Sequence, residues 1–182
     1  MNLGKLSACG AKLRLMDLGG TIKMRPLWER YYKDVHAITF VFDVSPSCEV
    51  SKLMEARAYY RCMRDDESLR NVPIMIFANK TDTRKRQQEL VLDDEELDDK
   101  NLLIGDTSLL DIAELFLSPP RGMSTDSGEW SAAKDSDDYG HNGNISMFAG
   151  SAKTGEGVVA AFDWLIRKGA ERVHQLRKSE EI

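Results

Sequence analysis

The sequence has 182 residues, 42% of them hydrophobic and 30% charged, with a formal net charge of -5. That balance predicts one globular domain able to bury a core, and it argues against nucleic acid as the main partner, whose footprint is a clustered positive face. Three cysteines, Cys9, Cys48 and Cys62, stand without C-x-x-C spacing, which supports neither a disulfide framework nor a zinc site and reads as reduced thiols of a cytoplasmic chain.

In chain order, residues 6–15 pass through a Cys9-Gly10 turn and then alternate Lys12, Leu13, Arg14, Leu15. This predicts an antiparallel hairpin with one wet face. Residues 26–35 read as a helix. Apolar runs at 37–44, 73–78 and 145–149 are short strands of the kind covered on both faces. Between them a helix is expected over 48–64, where Leu53, Ala56, Tyr60 and Met63 recur at helical spacing, with Ser45-Pro46 as its cap and first residue. Further helices are expected over 108–117, opened by the capping box Ser108-x-x-Asp111, and over 158–176. The sum is a layered α/β domain. Two stretches break the rhythm, about 83–106 and 118–144, and are expected to be flexible insertions. The first holds the acidic run from Asp93 to Asp99, which lacks the spacing and central glycine of an EF-hand and reads as solvated chain rather than a calcium site. No apolar run approaches the ~18 residues of a membrane span, and no signal peptide, myristoylation site or prenylation cysteine is recognisable. The expectation is a chain with no membrane anchor.

Three loops carry chemistry. Asp17-Leu18-Gly19-Gly20 follows the second strand; an aspartate there can hold a magnesium-bound water, and glycine lets a backbone N–H approach a phosphate oxygen. The same residues also fit an ordinary glycine turn. Asn79-Lys80-Thr81-Asp82 stands at the C-terminal end of an apolar strand, where open α/β sheets bind ligands. Asp82 can accept two hydrogen bonds from the guanine edge, a pair adenine does not offer, while the Lys80 stem packs over the base. Ser151-Ala152-Lys153 follows the last strand, and the Ala152 N–H can donate to the guanine carbonyl.

With these residues assembled, the chain resembles a small GTPase of the Arf and Arf-like family. Met16-Asp17-Leu18-Gly19-Gly20-Thr21 is similar to the family's W-D-x-G-G-Q, and Arg25-Pro26-Leu27-Trp28 with Tyr31 follows it. Asn79-Lys80-Thr81-Asp82 is similar to the guanine-specificity box, and Ser151-Ala152-Lys153 to the second base-contacting loop, ahead of Phe162-Asp163-Trp164-Leu165. Asn2-Leu3-Gly4 and Leu18 lean toward the Arf-related branch. The resemblance implies a three-layer sheet with helices on both faces, and GTP or GDP with Mg2+ as ligands. It further implies guanine contacts from Asn79, Lys80, Asp82, Ser151, Ala152 and Lys153, phosphate contacts from Gly19 and Gly20, and metal binding by Asp17 through water. It implies effector, exchange-factor and GTPase-activating partners, and a role in vesicle traffic at Golgi or other endomembranes.

Departures from the family pattern are equally legible. No G-x-x-x-x-G-K-[ST] phosphate loop occurs, and Gly4-Lys5-Leu6-Ser7 lacks its first glycine. Met1 aligns beyond the family's switch I threonine, so the first strand, phosphate loop, first helix and that threonine have no counterpart in this sequence. The expectation is a single GTPase-like domain over 1–182, truncated at its N-terminus, with the strands over 11–16 and 37–44 facing an empty place in the sheet. If each charged hydrogen bond contributes about 1.5–3 kcal/mol, five lost phosphate contacts remove on the order of 10 kcal/mol, roughly seven decades of affinity. Thr21 occupies the position of the glutamine that orients the attacking water, and its shorter side chain predicts weak hydrolysis. Met16 replaces the family's tryptophan. The alternative to a nucleotide switch is a pseudo-GTPase interaction module that works without nucleotide. His36, His141 and His174 stand apart from metal-ligand spacing, and Arg167, Lys168, Arg172 and Arg177 read as a solvated face.

Overall fold

The computed structural model describes residues 1–8, 10–84, 107–117 and 143–180. The insertions expected at 83–106 and 118–144 lie for the most part outside them, as do the acidic run, Cys9 and His141.

Strands β1 (Asn2–Ala8) and β2 (Ala11–Asp17) pair antiparallel, with Asn2 opposite Asp17 and Ala8 opposite Ala11. They form a sheet of their own. Strands β3 (Ile38–Asp43), β4 (Ile74–Asn79) and β5 (Ile145–Ala149) form a second, parallel sheet in that order. Among the described residues β2 pairs only with β1, so β2 and β3 belong to separate sheets.

Among the described residues, three α-helices cover the parallel sheet: α1 (Val50–Arg64), α2 (Leu109–Leu117) and α3 (Val158–Glu180). The period-2 alternation of β4 divides its side chains between two cores. Ile74, Ile76 and Ala78 pack with Leu53, Tyr60 and Met63 of α1 and with Ile112 and Phe116 of α2. Met75 and Phe77 pack on the other face with Ala161 and Leu165 of α3. This is the expected α/β layering, with helices on both faces.

Three expectations are corrected. Residues Arg25–Asp34 form a 3-10 helix rather than an α-helix, which stacks Arg25 and Trp28, at i and i+3, on one side. The Ser45-Pro46 pair does not cap α1, whose N-cap is Glu49; Ser45 instead opens a turn, its carbonyl accepting from the Cys48 N–H at 2.9 Å. Side chains pack on both faces of β4 and β5 but not of β3, where Val41 is 54% exposed while Phe40 and Phe42 are buried. The reason is placement: α3 lies over β4, and its core takes Ala37, ahead of β3, but no residue of β3 itself. The capping box forms as predicted. Ser108 Oγ and Asp111 Oδ2 lie 2.8 Å apart, and the Asp111 N–H donates back to Ser108 Oγ at 3.1 Å.

Candidate functional site

Parallel pairing brings the C-terminal ends of all three strands to one edge of the sheet. Asp43 stands beside Asn79, and Ala78 beside Ala149. The loops that leave these ends are tied together. The Ala152 N–H donates to Asn79 Oδ1 at 2.9 Å, and the Lys80 N–H donates to the same oxygen at 2.8 Å. Gly150 N–H bonds the Ala78 carbonyl at 3.0 Å, and Thr81 N–H bonds the Gly150 carbonyl at 3.2 Å. Lys80 sits at φ 74°, the left-handed region, which costs a non-glycine residue about 1–2 kcal/mol and marks a loop held by its surroundings.

Ser151 is fully buried, and its hydroxyl accepts from the Thr154 N–H at 3.2 Å while its own N–H bonds the Glu156 carbonyl at 3.0 Å. Both bonds shape the turn. Ala152 and Lys153 are exposed on that turn, and Asp82 is half-buried in a helical turn over residues 81–84. Thus the structure gathers Asn79, Lys80, Asp82, Ser151, Ala152 and Lys153 at one end of the sheet. The Ala152 N–H expected to reach a guanine carbonyl is engaged by Asn79, so a base placed there takes or shares that donor. Thr81 Oγ1 is buried without a partner among the described residues.

Asp17, Gly19, Gly20 and Thr21 form a second group. Asp17 ends β2, is exposed, and accepts from Asn2 Nδ2 at 3.2 Å. Both glycine carbonyls are held from the 3-10 helix: Trp28 Nε1 donates to Gly19 O at 3.1 Å and Arg25 Nε to Gly20 O at 2.8 Å. The Thr21 side chain is exposed, and its carbonyl accepts from the Met24 N–H at 2.8 Å. Trp28 packs edge-on against Phe40 and Tyr59, each with ring centroids 6.5 Å away.

Two charged pairs were not foreseen from the sequence. Arg25 pairs through Nη1 with Glu55 Oε1 at 2.8 Å, and its Cζ lies 3.6 Å from the centre of the Tyr59 ring; the hydrogen bond from Arg25 holds the Glu55 carboxyl below its usual range. Lys80 Nζ pairs with Asp43 Oδ2 at 2.5 Å, and the Ser45 N–H donates to Asp43 Oδ1 at 2.7 Å. Partial burial pushes the Asp43 pKa up, but the Lys80 and Ser45 hydrogen bonds outweigh it and the net direction is down. The same hydrogen bond raises Lys80. An acidic residue closing one apolar strand, level with the Asn-Lys that closes the next, was the available signal for Asp43. Arg84 also bridges the loops, donating from Nη1 to the Val44 carbonyl at 2.9 Å and from Nη2 to the Thr107 carbonyl.

Among the described residues no group of three or more metal-binding side chains occurs, and no helix is long and apolar enough to cross a membrane. A lone carboxylate such as Asp17 suits Mg2+, which keeps most of its waters and takes its remaining ligands from phosphates.

The model of the ADP-ribosylation factor family matches residues 1–115. ADP-ribosylation factor-related protein 1 of Bos taurus is 34% identical over 82 residues, 45% of this chain and 39% of that protein. ADP-ribosylation factor-like protein 1 of Saccharomyces cerevisiae is 36% identical over 81 residues, covering 44% of this chain and 43% of its own. ADP-ribosylation factor-like protein 3 of Caenorhabditis elegans is 35% identical over 82 residues, 44% of this chain and 43% of that protein. The chain thus spans about two fifths of the length of these relatives.

Proposed function

We propose, on the premise that this chain belongs to the ADP-ribosylation factor family, that the edge formed by β3, β4 and β5 recognises a guanine base. The observation that carries this reading is the Ala152 N–H to Asn79 Oδ1 bond of 2.9 Å, which seats the two base-contacting loops side by side. In this reading Asp82 accepts from the guanine edge, the Lys80 stem packs over the ring, and Asn79 with Ser151, Ala152 and Lys153 walls the base. Gly19 and Gly20 face the phosphates, and Asp17 holds Mg2+ through water. The metal would supply neutralisation of phosphate charge. Binding that orders residues 19–31 would make the chain a GTP-dependent switch in membrane traffic, presenting that surface to effector, exchange-factor and GTPase-activating proteins.

Thr21 makes hydrolysis slow in this reading, because a threonine hydroxyl does not span the distance a glutamine amide does when it orients water. Isothermal titration with GTP, GDP and ATP in the presence of magnesium tests the base recognition. The expected result is binding selective for guanine, with selectivity lost in Asp82→Ala. Equal affinity for ATP would overturn guanine recognition.

A second reading, a partner-binding module that works without nucleotide, draws support from how fully the site is satisfied internally. The Ala152 N–H, the Lys80 ammonium and both glycine carbonyls already have partners within the chain. Absence of any nucleotide-dependent signal in the same titration favours it.

A further inference from the structure

Lys80 is anchored at both ends of its side chain. Its backbone is fixed at φ 74° with its N–H on Asn79 Oδ1 at 2.8 Å, and its ammonium is on Asp43 Oδ2 at 2.5 Å. Asp43 is itself oriented, because its other oxygen accepts from the Ser45 N–H at 2.7 Å. The strand register sets the distance between the two anchors, since Asp43 and Asn79 are paired as the last residues of β3 and β4. Asn79 is tied into the same frame by its carbonyl, which accepts from the Val44 N–H at 3.0 Å. A lysine stem free in solvent samples many rotamers; this one is laid along the end of the sheet, between the strand that carries Asp43 and the loop that carries Ala152.

We propose that Asp43 is a positioning residue for base recognition: it holds the Lys80 stem extended across the C-terminal edge of the sheet, so that a purine ring meets an apolar platform already in place. The role rests on the guanine reading above. It places an affinity determinant on β3, a strand that contributes no residue to either base-contacting loop. Pre-ordering the stem removes the entropy loss that a mobile lysine pays when a ligand stacks on it. Because Asp82 carries the choice between guanine and adenine, loss of Asp43 weakens binding of the base while leaving that choice intact.

The test uses the full 182-residue chain. Lys80 acylation by acetic anhydride at pH 9, read by peptide mass spectrometry, reports the anchor without any nucleotide. A titration with GDP, read from the backbone amide resonances of Ala152 and Lys80, reports the platform. In Asp43→Asn, Lys80 is expected to acylate at least about threefold faster and the GDP dissociation constant to rise roughly tenfold, with the GDP to ADP preference unchanged; a tenfold rise corresponds to about 1.4 kcal/mol. Asp43→Glu should recover part of both. Lys80→Met keeps an apolar stem but no anchor, so it should weaken GDP to a similar extent, and adding Asp43→Asn to it should change GDP binding no further. An unchanged acylation rate in Asp43→Asn, or an unchanged GDP titration, overturns the positioning role. If wild-type amides do not respond to GDP at all, the guanine reading falls and the positioning role with it, even where acylation shows the anchor intact.

Discussion

At the scale of single residues, the loops are shaped by atoms that leave no room for substitution. Gly150 follows β5, and a Cβ built on it runs into the carbonyl oxygen of Glu156 and crowds the Phe77 ring. Gly150→Ala is therefore expected to destabilise the chain by about 1–3 kcal/mol, the range for forced overpacking, seen as a lower urea midpoint. Glu55 acts through charge. Its folded-state pKa lies below that of the unfolded chain because Arg25 donates to it. The Arg25–Glu55 pair hence contributes stability above the ordinary glutamate value of about 4.3 and loses it as pH falls through the lower folded value. Melting temperatures should separate wild type from Glu55→Gln at pH 7 and converge once the pH falls below the lowered folded-state value. The same latch holds the Gly20 carbonyl through Arg25 Nε, so its release also loosens the glycine loop. Neither residue could be assigned from sequence. Gly150 precedes Ser151 in a recognisable loop, but nothing local says which carbonyl it must face, and Arg25 and Glu55 are 30 positions apart.

Among elements, the hairpin and the parallel sheet differ in what supports them. Both faces of β1 are exposed, and Leu3, Leu6 and Leu15 are among the exposed large side chains. A two-stranded ribbon by itself is marginal in water. Each strand of the parallel sheet, by contrast, presses at least one face into a core, and β4 and β5 press both. Amide hydrogen exchange should read this difference directly: protection over β1 and β2 is expected to be orders of magnitude lower than over Ile74–Asn79, whose exchange should approach global unfolding. Comparable protection in the two would show that the hairpin is an integral part of the cooperative unit. The alternation of Lys12, Leu13, Arg14 and Leu15 foretold the pairing correctly, because register follows local pattern and turn. It did not foretell the exposure of Leu15, because burial requires a second element and alternation says only which side one would occupy. The 3-10 form of Arg25–Asp34 escaped for a related reason: Arg25 and Trp28 turn back together to the glycine carbonyls, and that contact is tertiary.

Across the whole molecule, stability is concentrated where α1 and α2 meet β3 and β4. Phe116 is fully buried there, stacked on Phe42 with centroids 4.3 Å apart and tilted against Tyr60 at 5.7 Å. Phe116→Ala is expected to cost about 3–5 kcal/mol, a large share of a typical total of ~5–15 kcal/mol, measured by urea unfolding followed by circular dichroism. The order of elements, the α/β class, the family and the candidate base loops were all legible in the chain itself. Apolar runs of strand length, helical periodicity and the Asn-Lys-x-Asp and Asp-x-Gly-Gly spacings are local properties that survive without coordinates. Sequence could not say that β3 would keep one face open, that Asn79 would claim the Ala152 N–H, or that Asp43 would anchor Lys80. Each of these depends on which strands lie side by side and in what register, and that is fixed by long-range packing of two cores on one sheet rather than by any residue's near neighbours.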